Sequence, residues 1–232
     1  TKMGCTPVFV AAKNNEVNTI KALAALGANV NTPTEDGRTP IFIAAQEGGV
    51  GAIQALAELG ANINTPMDDG RTPVYIAAQV GEVDAIRALV VLGANILTSD
   101  EDGATLAHVA AQMGEVGVIR ALFELGANVN TPSEDDRTPI FIAAQMGEVG
   151  AIQALVELGA NVNTPMKDGR TPVFSAAWMG EVDAIRALAE LGANVNTPEK
   201  DGCTPVNIAA QEGKVGAIQA LAELGGNVNT PM

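Results

Sequence analysis

The sequence repeats itself every 33 residues. A Thr-Pro pair at Thr6 and Pro7 recurs with its proline at Pro40, Pro73, Pro139, Pro172 and Pro205, and Leu106 fills the one place in the series where proline is missing. Seven copies occupy 231 of the 232 residues, leaving no room for a linker or a second domain. A fixed period of this length marks a stacked architecture, in which each copy is one supersecondary unit and its neighbours complete its core. Residues 1–232 therefore read as a single repeat domain with copies at 1–33, 34–66, 67–99, 100–132, 133–165, 166–198 and 199–231.

One copy, "DGRTPVFSAAWMGEVDAIRALAELGANVNTP" at 168–198, holds two helical signals in succession. Thr171 is placed to cap a helix whose first residue, Pro172, lacks an amide hydrogen that would have gone unpaired there. Ala176 and Ala177 allow a neighbour to pack closely. Gly180 breaks this helix; Val182, Ile185, Leu188 and Leu191 then come at three-residue steps, and Gly192 ends the second helix in a left-handed turn. Two helices of about ten residues cannot bury their apolar faces against each other alone. The expected fold is an all-α repeat, a solenoid of stacked helix-turn-helix units.

Composition narrows the function classes. Thirteen Lys and Arg stand against 27 Asp and Glu, a net charge of -14 and a pI near 4.3, which disfavours nucleic acid and anionic membrane surfaces as partners. No stretch approaches the roughly 18 apolar residues of a membrane span, so no membrane insertion is expected. The opening "TKMGCTPVF" has no charged leader ahead of an apolar block. A soluble, intracellular, cytoplasmic chain is expected. Because it starts with Thr and both ends fall at a repeat boundary, a fragment of a longer array is also expected, although a designed near-consensus array would look the same.

The motifs "DGRTP", "AAQ" followed by "GEV", and "LGANVN" resemble the ankyrin repeat, whose 33-residue period and Thr-Pro signature agree with all seven copies at once. The resemblance implies β-hairpin fingers projecting from the helix pairs, a concave face lined by fingers and first helices, and a protein-interaction role without catalysis or cofactor. Two departures stand out. Where the family has His after its Thr-Pro-Leu, this chain has Phe9, Phe42, Tyr75, Phe141, Phe174 and Asn207, and only His108 matches. The family's usual Gly-His between helices is here Gly-Glu, as at Gly147-Glu148.

Candidate chemistry is sparse. His108 is the only histidine and has no nucleophile in its own copy, since Cys5 and Cys203 belong to the first and last repeats. Six steps of about 8–10 Å put those sulfurs roughly 50–60 Å apart in a regular stack, too far for a disulfide or a shared metal site. The stretch "DEDG" at 100–103 resembles the opening of a calcium loop, but its continuation, "ATLAHVAAQ", supplies neither the spaced carboxylates nor the closing Glu. The acid pairs Asp68-Asp69 and Asp135-Asp136 fall in solvated turns, where nothing holds one protonated as a general acid. No metal site, cofactor or catalytic residue is assigned.

Copy four and the turn leading into it, "LGANILTSDEDGATLAH" at 92–108, are the least regular stretch. Leu97 replaces the Asn found at Asn64 and Asn130, Ser99 replaces the Pro of Pro66 and Pro132, and Leu106 replaces the helix-starting proline. His108 restores the family histidine, which in that setting bonds the Thr hydroxyl, here Thr105. These changes together read as a compensated stacking seam rather than a catalytic site, and one expected to open before its neighbours.

Recognition positions are where copies should differ. The first residue after Ala-Ala runs Lys13, Gln46, Gln79, Gln112, Gln145, Trp178, Gln211, and the next runs Asn14, Glu47, Val80, Met113, Met146, Met179, Glu212. A lone Trp thus interrupts a polar ladder beside an apolar strip, and Met side chains adapt to varied apolar surfaces. Before Thr-Pro the series is Cys5, Arg38, Arg71, Ala104, Arg137, Arg170, Cys203. The candidate partner-binding set is therefore Val80, Met113, Met146, Trp178, Met179, Arg137 and Arg170, with Trp178 as anchor of a protein or peptide ligand. The competing readings are that the Met residues fill gaps between helices and that each Arg pairs with an Asp of its own turn. Two other functions compete with recognition: a stiff spacer or weakly end-to-end self-associating array, suggested by the apolar pattern retained in the last copy, and a targeting module of a larger protein.

Overall fold

The computed structural model describes residues 4–99 and 102–231. Asp100 and Glu101, the first half of the "DEDG" stretch, lie outside the described residues. Each copy contributes two helices. The first helices are α1 (Pro7–Lys13), α3 (Pro40–Gln46), α5 (Pro73–Gln79), α7 (Leu106–Gln112), α9 (Pro139–Met146), α11 (Pro172–Met179) and α13 (Pro205–Gln211). The second are α2 (Val17–Ala25), α4 (Val50–Glu58), α6 (Val83–Val91), α8 (Val116–Glu124), α10 (Val149–Glu157), α12 (Val182–Glu190) and α14 (Val215–Glu223). They are shorter than the ten residues expected, because the Thr cap and the Gly after the Ala-Ala motif confine the first helix to two turns.

Caps explain the boundaries. The Thr39 and Thr171 hydroxyls accept from the amides of Phe42 and Phe174, at 3.3 and 3.4 Å, and proline stands next to each at the first helical position. Gly180 closes α11 with φ of 87°, a conformation that a side chain would strain.

The chain divides into two compact units, Thr1–Thr98 and Ser99–Met232, so the division falls inside the irregular stretch 92–108. In the first unit α1, α3 and α5 pack in series, as do α2, α4 and α6. In the second unit the series are α7, α9, α11, α13 and α8, α10, α12, α14. Fully buried Ala pairs such as Ala143-Ala144 and Ala176-Ala177 bring consecutive first helices together, and Ile152, Leu155, Ile185 and Leu188 fill the layer between first and second helices.

An asparagine ladder ties consecutive copies at the other end of the second helices. Asn163 donates its side-chain amide to the Gly192 carbonyl at 3.1 Å and accepts from the Asn194 backbone at 2.8 Å. Asn196 repeats this one copy on, and Asn31 and Asn64 do so in the first unit. Leu97, at the same register, carries no amide to donate and stands largely exposed.

The β-hairpin fingers are not formed as strands among the described residues. Those of the second, third, fifth, sixth and seventh copies are tight turns closed by two backbone bonds, as from Ser133 N to Arg137 O and Met166 N to Arg170 O, both at 2.8 Å, with a second from Asp136 N to Ser133 O at 3.0 Å and from Gly169 N to Met166 O at 2.9 Å. The reason is local. A proline precedes each of these turns, at Pro132 and Pro165, and a capping Thr with proline after it ends each one, so the pair that would extend the ladder lacks an amide hydrogen. The one isolated bridge among the described residues, Ser99 with Thr105, forms where serine has replaced that proline.

Candidate functional site

The second unit carries most of the residues singled out from the sequence. Met113 caps the C-terminus of α7, and Met146 and Met179 end α9 and α11; their exposures of 47, 45 and 44% place them on the surface rather than in gaps between helices. Trp178, beside Met179, is 36% exposed. Val80 occupies the same register in the first unit, at the C-terminus of α5, and is also half-exposed.

Trp178 and Arg170 are brought together. The Arg170 guanidinium lies 5.1 Å from the centre of the indole ring, a cation–π contact. Two acids hold it there: Asp168 pairs with it, accepting from Nε at 2.6 Å, and Glu199 of the next turn stands 3.8 Å from the same nitrogen. Partial burial of the Asp168 carboxyl works against its ionisation, and the side-chain and backbone hydrogen bonds of Arg170 outweigh it, leaving the group below its ordinary pKa. The indole is thus flanked by an ion cluster rather than loose on the surface.

Pairing with the Asp of the same turn holds for the other arginines too, at 2.8 Å for Arg38 with Asp36 and 2.7 Å for Arg71 with Asp69. Arg137 with Asp135 is the slackest, at 3.5 Å. The fifth turn is unusual in two further respects. Asp136 takes φ of 61° where the equivalent residues Gly4, Gly37, Gly70, Gly103, Gly169 and Gly202 are glycine, and the buried Ser133 hydroxyl has no partner, whereas Thr34 at its register bonds Asp36 and Arg38.

Beside this turn lies a hollow of about 280 Å³ lined by Asp102, His108, Gln112, Ser133, Arg137, Gln145 and Met146. Sequence reasoning missed it. Ser133, at a register where Thr34, Met67 and Met166 stand in other copies, looked neutral, and Gln112 and Gln145 looked like an unbroken polar ladder.

His108 is 4% exposed and engaged at both ring nitrogens. Nδ1 accepts from the Thr105 amide at 3.0 Å, and Nε2, which must then carry the proton, donates to the Arg137 carbonyl at 2.8 Å. Asn207 copies this in the last repeat, accepting from Thr204 N at 3.0 Å and donating to the Thr230 carbonyl at 3.2 Å. The sole histidine is a stacking residue, as the seam reading expects. Cys5 and Cys203 form no disulfide, and burial, then the Glu199 charge, raises the Cys203 thiol above its ordinary pKa, away from nucleophilic reactivity. Among the described residues no helix is long and apolar enough to cross a membrane.

A family model described as ankyrin repeats, in three copies, matches residues 1–67, 64–133, 129–199 and 166–232. Among solved structures, the crystal structure of the human ASB11 ankyrin repeat domain is similar at 27% identity and a TM-score of 0.83, over 96% of this chain and 99% of that one. In all 592 solved chains match, so likeness of fold singles out no partner. No curated protein sequence matches the chain.

Proposed function

Because the chain belongs to the ankyrin repeat family over its whole length, we propose that it is a non-catalytic recognition module that binds a protein or peptide along the concave face lined by its first helices and turns. The partner lies across the fourth to sixth copies, with Trp178 as anchor, Met113, Met146 and Met179 as an adaptable floor, and Arg137 and Arg170 at the rim. Proteins of this family bind other proteins in general, and the observation that carries the specific reading is the state of Trp178. It is the only tryptophan of the chain and is half out of the core, yet it is fixed in place by Arg170, Asp168 and Glu199. A large ring held on the surface at little further entropic cost is what an interface hot spot requires.

Affinity capture and then mass spectrometry identify the partner, and single substitutions test the surface. Trp178→Ala is expected to weaken binding by about 2 kcal/mol or more, and a rim change such as Arg137→Ala by well under that. Melting temperature is measured on the same proteins. Normal binding by Trp178→Ala, or binding lost only in step with structure, refutes the reading and favours a spacer.

A further inference from the structure

The chain has three serines, Ser99, Ser133 and Ser175, and two of them open the same pattern. Ser99 is followed by Asp100, Glu101 and Asp102, and Ser133 by Glu134, Asp135 and Asp136, whereas Ala176, Ala177 and Trp178 follow Ser175. A hydroxyl with carboxylates at the next three positions suits a protein kinase whose substrate groove is lined by Lys and Arg, because those cations pair with the downstream acids.

The fold separates the two candidates. Ser133 is 7% exposed and its hydroxyl oxygen is sealed from solvent, so it can meet a phosphate donor only when its turn opens. Ser99 is exposed, and so is Asp102, the carboxylate three residues on. Register explains the difference. The place of Ser99 is held in the other copies by Pro33, Pro66, Pro132, Pro165, Pro198 and Pro231, all of them exposed, so a side chain at this point faces solvent throughout the repeat. Only at Ser99 does that side chain carry a nucleophile.

We propose that Ser99 is a phosphorylation site for an acid-directed serine kinase, and that its phosphate loosens the irregular seam. In the step, Ser99 Oγ forms a bond to the γ-phosphorus of ATP and the bond from that phosphorus to the β–γ bridging oxygen breaks. ADP leaves with the electron pair, and the hydroxyl proton passes to the aspartate base of the kinase. The phosphate brings about two negative charges near neutral pH. Its own turn offers no clamp: Ala104 stands where Arg38, Arg71, Arg137 and Arg170 stand in sister turns, and Asp102 is already there. Arg137 of the next turn is paired with Asp135. Added charge of like sign melts a segment rather than ordering it. The bridge between Ser99 and Thr105, at the first residue of the second compact unit, is what it opens. This site is independent of the recognition reading of Trp178.

The whole chain is incubated with a purified acid-directed serine kinase, ATP and Mg2+, beside two synthetic peptides spanning residues 96–107 and 130–141. Fragmentation mass spectrometry assigns the phosphate. Both peptides should react at similar rates, whereas in the whole chain Ser99 should react at least about tenfold faster than Ser133, whose reaction waits on local opening. Asp102→Asn should slow Ser99 about tenfold, the loss of one charged pair; the 96–107 peptide with the same change decides the point should that variant fail to fold. In the phosphorylated chain the amides of 102–108 should exchange about two- to fivefold faster, the scale of exposed charges. An unreactive 96–107 peptide, a whole chain that stays unmodified, or phosphate on Thr98 or Ser133 in place of Ser99 overturns the inference. So does a rate indifferent to Asp102, or exchange that is unchanged or slower, the latter being the sign of an arginine clamping the phosphate.

Discussion

Asp136 puts a side chain where the backbone of the repeat calls for glycine. Six sister turns place glycine at its register with φ between 64° and 90°, and Asp136 adopts 61° with a side chain attached. The consequence shows in the neighbouring turn. A Cβ built on Gly103 or Gly169 would come within 3.0 Å of Glu134 N or 2.9 Å of Lys200 N, and those amides bond back to Asp102 O and Asp168 O at 3.0 and 2.9 Å. At Asp136 the Cβ is present, and the equivalent bond from Lys167 N to Asp135 O has stretched to 3.4 Å.

Asp136→Gly removes both penalties. Left-handed backbone costs an L-residue roughly 1–2 kcal/mol, with aspartate at the low end because its short polar side chain tolerates it. A tightened hydrogen bond adds about 0.5 kcal/mol, and the greater freedom of glycine in the unfolded chain takes back roughly 0.5–1 kcal/mol. The expected net gain is about 0.5–1 kcal/mol, read by urea denaturation monitored with far-UV circular dichroism. Exchange of the Lys167 amide should slow at the same time. A destabilised variant, or an unchanged Lys167 amide, refutes the account of strain.

The same geometry sets three further outcomes. Since the folded pKa of Asp168 is depressed, its bond to Arg170 is complete above the ordinary aspartate value of about 3.9 and is lost as pH falls through the lowered one; Trp178 emission should be flat from neutral pH to about 4 and shift only below it, and a transition near pH 6 would exclude Asp168 as its cause. His108→Ala should cost about 2 kcal/mol or more, through a cavity and an orphaned Thr105 amide, whereas His108→Phe, which installs the residue buried at Phe141 and Phe174, should cost about 1 kcal/mol or less; thermal denaturation that ranks them the other way refutes the stacking role. Amides of residues 92–98, where Leu97 gives no asparagine bond, should exchange faster than those of 59–65, where Asn64 does; equal protection would show that the missing bond is immaterial.

The period, the caps and the Ala-Ala packing were all legible in the sequence, because each depends on residues a few positions apart whose chemistry admits one local outcome. Thr171 before Pro172 is a helix start, and Ala176-Ala177 is a close approach. The lack of strands in the described fingers was legible too, in the prolines that bracket each turn, but the family resemblance spoke louder than the missing amides. What the chain hid were meetings across registers. Aligning copies by subtracting 33 treats Arg38 and Arg170 as one position, yet Arg38 lies 5.9 Å over the ring of Phe9, in the preceding copy, and Arg170 lies 5.1 Å over Trp178, in its own. Phe9 is a buried ladder residue at 4% exposure, so its arginine seals a core edge; Trp178 stands at the surface, so its arginine holds a ring out for contact. One substitution at the register of Gln145, from glutamine to tryptophan, is enough to turn a packing residue into a positioning one. In a scaffold whose backbone repeats, the role of a side chain is therefore decided by which neighbour is large enough to reach it, and that comparison has to be made in three dimensions.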